Sequence, residues 1–195
     1  MAQQLCSNLV RSGRKQPYEP LIACAIFLFM KTPEYFMKIA LKEAKKAKEE
    51  DEVPVGAVIV KDDCIIAKAH NLKETKQLAT AHAEVLAIQK ASRKLKTWNL
   101  QDCDLYVTLE PCMMCTGTIE LARIRRLFYG TADPKGGCVK SLVNIKDISH
   151  LNTYPKEIIT DVMHDECSEI LTSFFKEKRR IKKLLRKVKN NDETC

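Results

Sequence analysis

Val53-Pro54-Val55-Gly56-Ala57-Val58-Ile59-Val60, then Lys61-Asp62-Asp63, then Cys64-Ile65-Ile66-Ala67-Lys68-Ala69 is the stretch on which the fold turns. The first segment is a nearly continuous apolar, β-branched run, as in a strand buried on both faces. Lys61-Asp62-Asp63 turns it, and the last segment returns as a second strand. Downstream the period changes. Thr80 to Lys94 reads as a helix, with Val85, Leu86 and Ile88 at helical spacing, and Asp104 to Leu109 is strand-like again. Cys112 to Ala122 can be helical behind Pro111, whose missing N–H costs nothing in a first turn. Leu127 to Gly130 is a fourth strand, a short fifth lies near Ile158 to Asp161, and a long helix covers Asp165 to Lys187. Upstream, Thr32 can cap a helix with Pro33 at its first position and a stripe of Met37, Ala40, Leu41, Ala44 and Ala47. One hairpin followed by alternating helices and strands predicts an α/β fold, a three-layer α/β/α sandwich on a mixed, about five-stranded sheet.

Two short words carry chemistry: Ala81-His82-Ala83-Glu84 and Glu110-Pro111-Cys112-Met113-Met114-Cys115. One imidazole and two thiolates are three zinc ligands. A closed structural site takes four protein ligands, whereas a catalytic one takes three and leaves a position to water. No fourth ligand stands at the usual spacing, and Glu84 is the kind of group that carries protons for a metal-activated water. Cys112 and Cys115, three apart, share one face of a first helical turn, where the helix dipole favours thiolate. His82 and Glu84, two apart, point to opposite sides of a helix interior and reach one centre only beyond a helix end. The expected site is therefore two helix N-termini meeting over one zinc. Read alone, Cys-x-x-Cys is equally a redox pair or two packed thiols, and His-x-Glu is common by chance. Their conjunction matches the signature of the zinc-dependent nucleobase deaminases.

Composition sets bounds. The 195 residues suffice for one domain with a sizeable core, and 45% hydrophobic and 30% charged residues are ordinary for a globular protein. The net charge of +8 is a weak pointer to polyanions, but its distribution says more. Residues 176–189 hold nine Lys or Arg against one acid, Glu177, which is either a solvated face or a phosphate-neutralising strip. Nine cysteines in no dense framework argue for reduced thiols in a cytosolic protein rather than a disulfide scaffold. Arg11, Arg14 and Lys15 precede an apolar run, Leu21 to Met30, that resembles part of a signal peptide. The run is too short to span a bilayer and lacks a small-x-small cleavage site. Residues 1–29 are expected to be an upstream extension absent from the functional protein, with Met30 as its start; native protein whose mass begins at Met1 would contradict this.

The resemblance extends past the metal words. Val53-Pro54-Val55-Gly56-Ala57-Val58, His70-Asn71, Thr80 to Glu84, Leu105 to Cys112, and Tyr129-Gly130-Thr131-Ala132-Asp133-Pro134-Lys135-Gly136-Gly137 look like the bacterial tRNA-specific adenosine deaminases, over about residues 33–178. Cytidine, deoxycytidylate and guanine deaminases share the metal signature. The block around Asp133 and the later Phe174-Phe175-Lys176 look like the tRNA branch. The resemblance implies a cytidine-deaminase-like fold, with a zinc deaminase domain at 30–178 and a basic tail at 179–195. It implies hydrolytic deamination of adenosine to inosine at the wobble position of an arginine tRNA, with one zinc per subunit and no nucleotide cofactor. It also implies a cytoplasmic homodimer, without a membrane partner, whose active sites are completed by the partner's surface.

Residue by residue, the resemblance makes His82, Cys112 and Cys115 the metal ligands and Glu84 the proton shuttle. Asn71 aligns with a base-contacting asparagine; its bland reading is a turn residue ending a strand. Val55 looks like an apolar wall of the base pocket, or simply a core valine. Asp133 aligns with a residue near the target ribose, where a carboxylate would accept from a 2′-OH; otherwise it is a loop Asp before Pro134. Lys135 is a phosphate contact or a solvated lysine. Phe174 and Phe175 are expected near the anticodon loop, where an aromatic face stacks a splayed base, or else pack the last helix. Ala122, where relatives usually carry serine, and Lys140, in place of a common glycine, depart from the pattern at neither a metal nor a base-contact position. Two other readings compete: a deaminase of free bases or nucleotides, which the basic tail and Asp133 block oppose, and a non-catalytic zinc module that binds RNA, which Glu84 opposes.

Overall fold

The structure, a computed structural model, describes residues 31–144 and 155–192. The described elements belong to a single unit, Thr32–Cys195. Helix α1 spans Pro33–Glu49 and strands β1 and β2 span Gly56–Lys61 and Cys64–His70. A one-turn helix α2, Lys73–Lys76, precedes α3, Ala83–Leu95. Then follow β3 (Asp104–Leu109), α4 (Met113–Leu121), β4 (Arg126–Thr131), β5 (Glu157–Ile159) and α5 (His164–Asp192).

The sheet order is β2-β1-β3-β4-β5. The β1 strand is antiparallel to both β2 and β3, while β3, β4 and β5 run parallel. Alternation along the central strands serves two cores. Ala57, Ile59, Leu105, Val107, Leu127 and Tyr129 face one way, with Ala87, Ile88 and Ala91 of α3 and Ile119 of α4. Val58, Val60, Tyr106 and Phe128 face the other, with Phe36, Met37, Ala40 and Leu41 of α1 and Cys167 of α5. The expected three-layer sandwich on a mixed five-stranded sheet is what forms.

Details differ from the sequence reading. Strand β1 starts at Gly56, because Val55 N–H bonds back to Val53 O within a tight turn. The hairpin closes on Asp62 and Asp63 alone, both at positive φ, as a two-residue turn matching strand twist requires. Thr32 is the N-cap of α1 but makes no side-chain capping bond; its carbonyl instead accepts from Tyr35 N–H at 3.0 Å. Helix α3 begins at Ala83, not Thr80, and α4 at Met113, so His82 and Cys112 are N-cap residues rather than helical ones. The α2 turn was not anticipated. Helix α5 runs on to Asp192, and the expected boundary between residues 178 and 179 falls inside it. The expectation for residues 1–29 lies outside the described residues. Among the described residues no helix is long and apolar enough to cross a membrane, and Cys64, Cys103, Cys138 and Cys167 are free thiols.

One buried ion cluster ties β3 to β4. Asp104 accepts from Arg125 Nε and Nη2, both at 2.9 Å, and from Arg126 Nε and Nη2 at 3.1 and 2.5 Å. Burial pushes its carboxyl up, but the two guanidinium groups outweigh that and hold it below the ordinary Asp range. A depressed folded pKa contributes stability above the unfolded value, and that contribution is lost as pH falls through the folded pKa. Asp104→Asn is therefore expected to cost about 2 kcal/mol at neutral pH. The gap to wild type should close as pH drops below 3.8, the ordinary value. Urea melts at pH 7 and pH 3 check this; a gap independent of pH would contradict it.

Candidate active site

Strand directions decide what meets at one end of the sheet. Because β1 opposes β3, the start of β1 lies beside the end of β3: Gly56 N–H donates to Thr108 Oγ1 at 3.2 Å. The end of β2 arrives at the same edge, with His70 opposite Gly56 and Asn71 N–H bonded to Val55 O at 3.0 Å. The end of parallel β4 arrives there too, with Glu110 N–H on Thr131 O at 2.8 Å. This is the carboxyl edge of the parallel strands, where open α/β sheets place their ligands. Leu72 N–H to Ala81 O at 2.9 Å closes the intervening loop and brings His82 to the same place.

The His82 and Cys112 backbones are extended, each capping a helix, so the two N-termini converge. The His82 Nδ1 atom lies 3.6 Å from Cys112 Sγ and 3.5 Å from Cys115 Sγ. All three candidate ligand atoms fall within 4.8 Å of one another. One borderline nitrogen and two soft sulfurs this close fit zinc better than an oxygen-seeking cation. The Cys115 thiol, hydrogen-bonded to Cys112, holds the Cys112 pKa down to about 4, helped by His82. The same bond, with burial and nearby Glu84, pushes Cys115 up. Hydrogen bonding to Cys112 raises the His82 pKa. Glu84, in the first turn of α3 and 4% exposed, is raised chiefly by burial and then by the Cys112 charge. A carboxyl group raised in this way holds a proton more readily than a free one.

A cavity of about 240 Å³ opens over this cluster, walled by Val53, Val55, Asn71, Lys73, Leu109 and Asp133. The structure thus places Val55, Asn71 and Asp133 with His82, Glu84 and Cys112 around one space. Lys135, Phe174 and Phe175 do not line it. Phe174 is 7% exposed and packs edge-on to Phe175, with Lys178 over its ring; Phe175 is 42% exposed. A wider groove, about 690 Å³, lies between α1 and α5 and holds none of the expected residues. Size favours the groove, but chemistry favours the smaller cavity.

Sequence reasoning missed two carboxylates. Glu52 is fully buried; its Oε2 accepts from Asn71 Nδ2 at 3.0 Å and its Oε1 from Thr75 N–H at 2.6 Å, which orients the Asn71 amide. Glu110, at the cavity wall, gathers the segment after β4. For Glu110 the available signal was an acid inside an apolar stretch, Leu109-Glu110-Pro111, where burial is expensive without donors; Glu52 ends the acidic run Glu49 to Glu52 and carries no such signal.

The tRNA-specific adenosine deaminase of Bacillus subtilis (strain 168) is 48% identical over 158 residues, covering 81% of this chain and 98% of its own. That of Aquifex aeolicus (strain VF5) is 49% identical over 152 residues, covering 75% and 95%. The chain belongs to the tRNA-specific adenosine deaminase family. The family model for MafB19-like deaminase, matching residues 30–179, agrees with a deaminase domain. A solved structure from work on A-to-I editing by tRNA:A34 deaminases at the wobble position of transfer RNA is 43% identical. It covers 70% of this chain and 99% of its own, with a TM-score of 0.65. A guanine deaminase structure from Bacillus subtilis is 36% identical over 63% of this chain and 73% of its own, with a TM-score of 0.51. In this deaminase family member, the cavity over His82, Cys112 and Cys115 is the place to seek the chemistry.

Proposed function

We propose that this protein hydrolyses adenosine to inosine, with release of ammonia, at the wobble position of a tRNA anticodon loop, that of an arginine tRNA. The observation that carries the reading is one cavity joining a three-ligand His/Cys/Cys cluster, a buried Glu84, and Asn71, Val55 and Asp133, in a chain of this family.

His82 Nδ1, Cys112 Sγ and Cys115 Sγ would hold one zinc per subunit, and zinc so held supplies Lewis acidity that brings a water's pKa toward neutrality. Glu84 takes one proton of the attacking water and delivers it to the purine ring, then takes the proton of the new C6 hydroxyl and passes it to the amine, which departs as ammonia as the 6-oxo group forms. Asn71 offers its amide to the purine edge, with the Nδ2 end already engaged by Glu52. Val55 walls the base, and Asp133 accepts from the ribose hydroxyl, favouring RNA. A single-stranded loop makes extrusion of the base inexpensive. Phe175, with its exposed ring, stacks a splayed neighbour, while Phe174 backs it from the core. Lys135 and the basic face of α5 neutralise phosphates. The enzyme acts as a cytoplasmic homodimer.

Two measurements test these assignments. Purified protein is expected to carry about one zinc per chain by elemental analysis, and Cys115→Ser to lose it together with turnover; full zinc in the variant would remove Cys115 from the ligand set. Offered an anticodon stem-loop, free guanine and cytidine compounds, the enzyme is expected to release ammonia from the RNA alone. Release from a free base alone would replace the RNA reading with the free-base one.

A further inference from the structure

Glu110 stands between the end of β3 and Pro111, 2% exposed, and both its oxygens are spent on one stretch of chain. The Oε1 atom accepts from the N–H groups of Val139, Lys140 and Ser141 at 3.1, 2.8 and 2.9 Å. The Oε2 atom accepts from Asp133 N–H at 3.0 Å and from the Ser141 hydroxyl. The chain wraps so closely that a Cβ on Gly137 would lie 2.4 Å from both Cδ and Oε2. Cys138 N–H to Pro111 O and Gly137 N–H to Asp133 O, both 2.8 Å, complete the attachment. Segment 133–141 has no extended ladder of its own, and a buried carboxylate replaces one. Since such burial is costly unless every lone pair is used, and an apolar side chain would fill the space more cheaply, its effect is to fix a position.

We propose that Glu110 is a positioning residue: through the Asp133 N–H bond to Oε2 it holds Asp133 in the cavity wall, and so sets RNA affinity rather than the chemical step. This rests on the deaminase reading above. Glu110→Gln separates the two halves of the clamp. An amide oxygen in the Oε1 place still serves the three N–H groups. The NH2 group then faces Asp133 N–H, donor against donor, while the Ser141 hydroxyl can turn to accept.

Expected in Glu110→Gln are a KM for the anticodon stem-loop raised about tenfold, kcat within about twofold, and unchanged zinc content. In an Asp133→Ala background the same change should move KM less than about twofold, because the two act as one unit. Ser141→Ala, which leaves Asp133 anchored, should keep the wild-type KM. If Glu110→Gln does not fold, the exchange rate of the wild-type Asp133 N–H carries the test. A fall in kcat or zinc with KM unchanged, or full additivity with Asp133→Ala, overturns the proposal. Amide exchange tests the anchor even if the wild type proves inactive on RNA, which would instead defeat the deaminase reading. The Asp133 N–H should be protected in wild type and fast in Glu110→Gln, and an unprotected wild-type amide also overturns the proposal.

Discussion

Glu84→Gln is expected to lower kcat by ~10²–10⁴-fold or more while leaving zinc bound and the fold intact. The isosteric amide keeps the packing of a side chain buried in the first turn of α3 but cannot carry a proton between water, ring and amine. Water addition at C6 breaks the aromaticity of the purine, so ring protonation is part of the barrier, and departure of ammonia requires a second delivery. One group must do both, and Glu84 lines the cavity with its pKa held up by burial and the Cys112 charge. Glu110, the neighbouring acid, is held below its usual range by bonds from Ser141, Lys140 and Asp133 against the push of burial, and its lone pairs are occupied. Single-turnover assays with elemental analysis on the same sample check the prediction. Substantial residual turnover in Glu84→Gln would assign the shuttle elsewhere.

Gly56→Ala is the second large effect, and it acts on the fold. A Cβ there would lie 2.0 Å from Ala40 O and 2.6 Å from Ala44 N, both backbone atoms of α1. Neither can swing away as a side-chain end would, so α1 must shift off the sheet and loosen the core that Met37, Ala40 and Leu41 form with Val58. Overpacking of this kind costs about 3 kcal/mol, a large share of a domain's roughly 5–15 kcal/mol. The internal control is Gly117→Ala in α4, where an added Cβ meets nothing within 4 Å. It should be neutral or stabilising by up to about 1 kcal/mol. Equal urea midpoints for the two variants would show that α1 does not lie against Gly56 as described.

Much of this was legible in the chain because the decisive signals are local. The apolar run through Val60, the Asp62-Asp63 turn and the alternating periods downstream give the sandwich and its strand count. The two-residue spacing of His82 and Glu84 points to a candidate metal site beyond a helix end, and both His82 and Cys112 are N-caps. What was not legible depends on pairing across the sheet. That Val55, Asn71, Cys112 and Asp133 share one cavity follows from β1 opposing β3 while β4 runs with it, and register has no local signature. Glu52 looks like an ordinary surface acid, and the task of Glu110 stays hidden, until the donors around them, Asn71 and Thr75, Val139 and Ser141, are brought in from distant parts of the chain. Which of Phe174 and Phe175 faces outward is likewise fixed by how α5 docks, not by the dipeptide.

The most direct test of the central claim is nucleoside mass analysis of an arginine-tRNA anticodon stem-loop after incubation with zinc-loaded protein, with Glu84→Gln alongside. The account predicts inosine at the wobble adenosine alone, formed by the wild type and not by the variant. Unchanged adenosine with wild-type protein that is folded and zinc-loaded, or equal conversion by both proteins, would contradict it.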